Sequence, residues 1–361
     1  MTGGSISARI GTMQNAQTLT LAEALFDKHV ALHPELTHYT GIVSLHGISR
    51  LAVIAGEARL QEKALAALAP FVAGERVFPC NFPNYCCGGI GTAYLLERGL
   101  LPNAADAVRK YSDAILNDAP RDPDGILSHP AFPGEDRIWI DVAFAVTPFL
   151  LFSGLALGED RYIEEGYQQT AKMVAVFRNQ ENGLLHQSRN CNGRGRLSED
   201  AWSRGNGWGI YALAELAAYL PANDPRRPAA IALFTDLLNA CLAARHHDGL
   251  WCQEMTEHRS YVETSGSALI LYALGVALEQ GLIGAEKRED LQRGLNALLP
   301  YITSEHDVHQ TCSGCLCPGD GSKLEYMAKA PQVNDRHAFG PLTLALGQAH
   351  ALGIKTVERY Q

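Results

Sequence analysis

Segments that are apolar on every face alternate along this chain with segments that are apolar on one face only. The fully apolar ones begin near Gly41, Gly88, Val142, Gly207, Ser265 and Gly340. Amphipathic partners lie at 60–72, 105–117, 162–177, 227–244 and 287–302, with apolar residues spaced three and four apart. One further amphipathic helix, 19–32, opens the chain without a predecessor, and the last apolar helix lacks a successor. Pairing the first with the last closes a ring of six hairpins. A helix apolar all round must be buried on all sides. Six of them as an inner ring, wrapped by six amphipathic helices, meet that demand without a sheet. The expected fold is therefore all-α, an (α/α)6 barrel, with a flexible N-terminal segment at 1–18 and one barrel domain over 19–361.

The connections divide by length. Turns from an inner helix to its outer partner are short: 56–59, 99–104, 221–225. Connections from an outer helix to the next inner one are long: 118–140, 178–204, 245–264, 303–337. All the long loops must then share one rim, at the N-terminal ends of the inner helices. Loops of that length in a compact domain are usually functional, and helix N-termini favour anions. An open solenoid of helical hairpins has the same periodicity. It does not account for one-sided loops rich in Trp, His, Asp and Arg.

The net charge of −9 argues against broad binding to nucleic acid or an anionic membrane. An acidic ligand would have to be drawn in by local Arg or His groups. Residues 1–20 lack the basic and apolar regions of a signal peptide. The longest apolar run, 141–158, holds Asp141, Thr147 and Pro148, and reads as a buried core helix rather than a membrane span. Nine cysteines form no regular framework, which points to a reducing cytoplasm. Cys312, Cys315 and Cys317 are spaced to bind zinc if Cys80, Cys86 or Cys87 supplied another ligand. No paired Cys-x-x-Cys or His-x-x-x-His accompanies them, so free thiols are the simpler reading and no metal is expected.

Several groups on the long-loop rim carry chemistry. Asp141 follows Trp139 and Ile140 at the mouth of an apolar helix. A carboxyl desolvated there is held protonated and suits a general acid, although an Asp at a helix start also serves as a cap. Trp202-Ser-Arg204-Gly-Asn-Gly-Trp208 sets an Arg between two indoles at a helix start. Trp faces stack on sugar rings, and an Arg in so apolar a place needs an anionic partner. His186 and His129 are loop histidines that reach a ligand or serve structure. Glu263, before Thr264 and Ser265, reads as a helix start rather than a catalytic acid. Asn334-Asp335-Arg336-His337, before the last inner helix, mixes capping with site lining.

Trp139-Ile-Asp141, the Trp202–Trp208 run, Gly249-Leu-Trp251, Tyr261-Val-Glu-Thr-Ser265 and Asn334-Asp-x-His337, in that order, resemble the unsaturated rhamnogalacturonyl hydrolases of glycoside hydrolase family 105, relatives of the unsaturated glucuronyl hydrolases of family 88. The resemblance extends from about Tyr39 to the end of the chain. It implies action on the 4,5-unsaturated uronic acid at the non-reducing end of lyase-generated oligosaccharides, so the expected partner is an acidic oligosaccharide. It implies Asp141 as the acid/base that protonates C4, and no metal or organic cofactor. Arg204, His186, Trp202, Trp208 and Trp139 look like substrate contacts, and Tyr39 and His129 like further lining of the same cavity. The family's second Asp, in the loop before the second inner helix, is replaced here by Asn84, an amide that hydrogen-bonds but holds no charge. Two other readings stand beside this one. A barrel sugar epimerase or isomerase would use His186 and His337 as its pair, with Asp141 only capping. A non-enzymatic helical scaffold would show an exposed apolar strip.

Overall fold

The computed structural model describes residues 13–78, 89–314 and 320–359. Thirteen α-helices occur among them: α1 (Thr18–Leu32), α2 (Tyr39–Ala55), α3 (Ala58–Val72), α4 (Ile90–Glu97), α5 (Ala105–Asn117), α6 (Asp141–Leu157), α7 (Asp160–Phe177), α8 (Ser203–Tyr219), α9 (Arg227–Ala243), α10 (Thr264–Glu279), α11 (Lys287–Leu298), α12 (Lys323–Met327) and α13 (Phe339–Ala351). In α6 every residue from Asp141 to Gly154 is buried, whereas α5 buries only Val108, Ser112 and Ile115. The two kinds of helix sort as their sequences demand. Helices α2, α4, α6, α8, α10 and α13 each pack on two neighbours and close an inner ring. Helices α3, α5, α7, α9 and α11 lie outside their partners, and α1 packs on α13 to complete the sixth pair. The fold is the all-α (α/α)6 barrel.

Boundaries moved where local chemistry outweighed apolar content. Inner helices α2, α8 and α13 begin earlier than their first glycines, at Tyr39, Ser203 and Phe339. The Trp202–Trp208 run opens α8, as expected of a helix start. Helix α11 stops at Leu298 and turns into a short 3-10 stretch, Leu299–Tyr301, where Pro300 has no N–H to continue the ladder. Within the segment 1–18 expected to be flexible, Asn15–Gln17 pairs antiparallel with Thr356–Glu358 and Thr18 starts α1, while residues 1–12 lie outside the described residues. Two other short ladders occur: Ile138–Trp139 with Ser188–Arg189 ties the loop before α6 to the loop before α8, and Thr311–Cys312 with Pro331–Gln332 folds the loop before α13 back on itself. Cys80, Asn84, Cys86, Cys87, Cys315 and Cys317 lie outside the described residues. No helix among the described residues is long and apolar enough to cross a membrane.

The two ends of the barrel interior differ. At the end where the inner helices finish, Arg50 is buried beside Glu215 (3.6 Å) and donates to Tyr219 Oη (2.6 Å) and Gln348 Oε1 (2.8 Å). Tyr272 donates to the same Glu215. Those residues come from α2, α8, α10 and α13, so the network pins four inner helices at their C-terminal halves. The other end, where the inner helices begin, holds the groups singled out above.

Candidate active site

Asp141 is the first residue of α6 and only 5% exposed. The residue in the cap position of α6 is Ile140 rather than Asp141, and among the described residues Asp141 Oδ2 is buried without a hydrogen-bond partner. Burial raises its pKa from 3.8 to about 6, against the pull of the Arg204 guanidinium and its own backbone. A carboxyl in this state keeps its proton to a higher pH than an ordinary Asp and can deliver it.

Arg204, in the first turn of α8, is fully buried. Its Nη1 donates to the Cys312 carbonyl and to Ser265 Oγ (3.2 Å), and lies 3.9 Å from Glu263 Oε1. Its Nε and Nη2 have no partner among the described residues. The guanidinium also sits 4.7 Å over the Trp202 ring. A buried cation with spare donors on one edge is poised for an anion. Glu263 holds the other edge in place. It is the cap of α10, accepting from Ser265 N (3.1 Å) and Gly266 N (2.6 Å), and it also accepts from Cys312 N (3.0 Å) and Ser203 Oγ (3.2 Å). The expectation of a helix start at Glu263 is met, and the same carboxylate fixes the loop carrying Cys312.

The remaining aromatic groups pack in around these two. Trp208 is buried and stacks on Phe144, one turn into α6, at 4.0 Å. Trp202 is buried with its Nε1 unpartnered among the described residues. Trp139 is buried and its ring lies 5.2 Å from that of half-buried His129. Tyr39 opens α2, lies 6.0 Å from the Phe144 ring and bonds through its hydroxyl to His337 Nε2. His337 Nδ1 meets Asp335, which makes an Asp335–His337–Tyr39 chain. Burial and then Arg204 push His337 down to about 4, so it is neutral near pH 7. Burial works against ionisation of Asp335, but the hydrogen bond from His337 prevails and holds it at about 2. His186 is half-buried with Nδ1 lacking a partner among the described residues, and burial lowers its pKa.

One group escaped the sequence reading. Asp200 is 1% exposed, and neither oxygen makes a well-formed hydrogen bond among the described residues. Burial raises its pKa to about 7; Ser198 draws it down a little, and the charges of Glu254 and Asp141 raise it again. The only cue in the sequence was an acid two residues before Trp202, inside a polar loop where acids are ordinary. Its burial depends on segment 252–255 lying against 201–203, through Ser203 N to Gln253 O (2.9 Å) and Met255 N to Ala201 O (2.9 Å).

A helical double ring with a buried, protonatable carboxyl, a half-paired arginine and indoles at its loop-bearing rim defines a class of carbohydrate-active barrels. The chain belongs to glycosyl hydrolase family 88, whose pattern covers residues 12–352. An unsaturated rhamnogalacturonyl hydrolase of Bacillus subtilis, YesR, is 24% identical over 213 residues, which are 58% of this chain and 60% of that protein. An unsaturated 3S-rhamnoglycuronyl hydrolase of Formosa agariphila is 27% identical over 161 residues, 42% of this chain and 43% of its own length. The chain thus matches about three-fifths or less of these hydrolases. The fold extends further. A possible member of family 105 from Klebsiella pneumoniae superposes with a TM-score of 0.80 at 18% identity, over 98% of this chain and 96% of that one.

Proposed function

We propose that this protein releases a 4,5-unsaturated uronic acid from the non-reducing end of lyase-generated oligosaccharides, by hydrating the vinyl ether. The observation that carries the reading is Asp141: buried, with Oδ2 unpartnered among the described residues, raised to about 6, with Arg204 beside it holding unpaired donors. Protonated Asp141 delivers its proton to C4, and the double-bond electrons leave C5 as an oxocarbenium shared with the ring oxygen. Water adds at C5 and returns its proton to the Asp141 carboxylate, which restores the starting state. The hemiketal at C5 opens its ring bond, and the hemiacetal left at C1 releases the rest of the sugar chain. Arg204 Nε and Nη2 pair with the substrate carboxylate. Trp139, Trp202, Trp208 and Tyr39 supply apolar faces, and His186 and His129 reach hydroxyls. Asn84 contributes at most a hydrogen bond, and Asp200 supplies the second buried acid.

YesR and the Formosa agariphila hydrolase bear names for reactions on unsaturated sugars, which supports the substrate class. Paired-histidine epimerase chemistry fits less well, since both His337 nitrogens are already engaged by Tyr39 and Asp335. Cys241, Cys252 and Cys312 form no disulfide among the described residues, which suits the cytoplasm. The deciding experiment is a panel of unsaturated uronyl disaccharides followed by loss of their near-UV absorbance. Turnover of at least one, lost by roughly 100-fold or more in Asp141→Asn, is the expected result. A wild-type protein that leaves every member of the panel intact overturns the reading.

A further inference from the structure

The loop between α9 and α10 gathers a second set of reactive side chains that the chemistry above does not use. His246, Cys252 and His258 follow one another at six-residue intervals. Local turns fold that stretch back on itself. His246 N donates to Leu250 O (2.8 Å) and Gly249 N to His246 O (3.0 Å), which closes the first turn. Cys252 pairs with Val262, and Gln253 N donates to Tyr261 O (2.7 Å), so the segment beyond is a hairpin with His258 at its exposed tip. One ligand atom each from His246, Cys252 and His258 lies within 4.8 Å of the other two. No other such trio of His, Cys, Asp or Glu occurs among the described residues.

We propose that His246, Cys252 and His258 bind a zinc ion that staples this loop. One thiolate and two imidazoles form a soft-to-borderline donor set, which suits zinc and disfavours magnesium or calcium. Tetrahedral zinc, with bonds of about 2.0–2.3 Å, holds its ligands about 3.5 Å apart. The present spread closes by rotating His258, whose side chain is exposed and free to turn. Asp248 Oδ1 lies 2.8 Å from His246 Nδ1. His246 Nδ1 is buried and makes no hydrogen bond among the described residues, and turning the ring onto the Asp248 carboxylate would give it the usual support of a zinc-bound histidine. Water completes the fourth position. The stapled hairpin is the one whose residues 252–255 lie against Ala201 and Ser203, next to Trp202 and Arg204. Zinc would therefore brace the wall on which the arginine is mounted, without touching substrate.

The full-length protein, stripped with a chelator, is titrated with Co²⁺ and separately with Zn²⁺. We expect one equivalent bound, intense visible bands of four-coordinate cobalt with thiolate-to-cobalt charge transfer, and displacement of cobalt by zinc. Zinc should raise Tm by several degrees. Cys252→Ser should abolish the charge-transfer band, and His258→Ala, a surface change that leaves packing intact, should weaken zinc binding at least tenfold and remove the Tm shift. Failure of wild type to bind overturns the proposal, as does a charge-transfer band that persists in Cys252→Ser. Wild-type zinc affinity in His258→Ala, or copper alone in protein purified from metal-replete medium, overturns it too.

Discussion

Asp141 and Asp200 are costly residues for the fold, since each takes a carboxyl out of water without a full set of hydrogen bonds. Two predictions follow from their raised pKa values. If protonated Asp141 is the donor, kcat/KM should be level below about pH 6 and fall roughly tenfold per pH unit above it. A profile flat from about pH 5 to about pH 8 on a turned-over disaccharide would exclude that role. For Asp200 the folded state favours the proton, at about 7 against an ordinary 3.8. Its contribution to stability is present at low pH and is lost as pH rises from about 4 through about 7. Asp200→Asn removes the penalty, so its Tm should exceed the wild-type value by several degrees at about pH 8 and converge with it below about pH 4. Equal melting curves at the higher pH would show that Asp200 is better solvated than its burial suggests. Asp141 could be picked out beforehand because a charge before an unbroken apolar run is conspicuous. Asp200 could not, because its neighbours in sequence are polar and its desolvation comes from a loop segment fifty residues away.

Among the elements, α8 and α10 bear most directly on the site. Their N-terminal turns approach so closely that a Cβ on Gly266 would stand 2.5 Å from the Ser203 carbonyl carbon and 2.6 Å from Arg204 N. Both are backbone atoms, and nothing flexible can yield. Gly266→Ala should therefore cost about 1–3 kcal/mol in urea unfolding and shift the first turn of α8, which carries Arg204. Activity should fall more than stability does, through a raised KM for the acidic sugar. An alanine variant with wild-type stability and KM would show that the two helices can separate without consequence. The glycine itself was visible in Thr264-Ser265-Gly266-Ser267, but the need for it was not, since the clash is with a helix sixty residues away.

For the molecule as a whole, the polar network at the far end of the barrel is the counterpart of the site. Arg50 and Glu215 are both buried; burial raises the Glu215 pKa, while Arg50 and the Tyr272 hydroxyl pull it back. Removing one partner leaves the other charged and unpaired. Arg50→Met should cost about 3–5 kcal/mol in denaturant unfolding, whereas the double change with Glu215→Leu should recover much of that loss. Additive losses in the double variant would contradict a paired role. Ring closure, helix order and the rim that bears the site were all determined by sequence alone, because burial of an all-apolar helix is a demand each segment makes locally. Asp141, Trp202, Arg204 and Trp208 stood out for the same reason, as polar or aromatic groups at apolar helix starts. The unpaired edge of Arg204, the Asp335–His337–Tyr39 chain, the burial of Asp200 and the meeting of His246, Cys252 and His258 were settled only by the tertiary structure. Each depends on where separate loops come to rest on the rim, and loop backbones satisfy their hydrogen bonds through partners that periodicity does not encode.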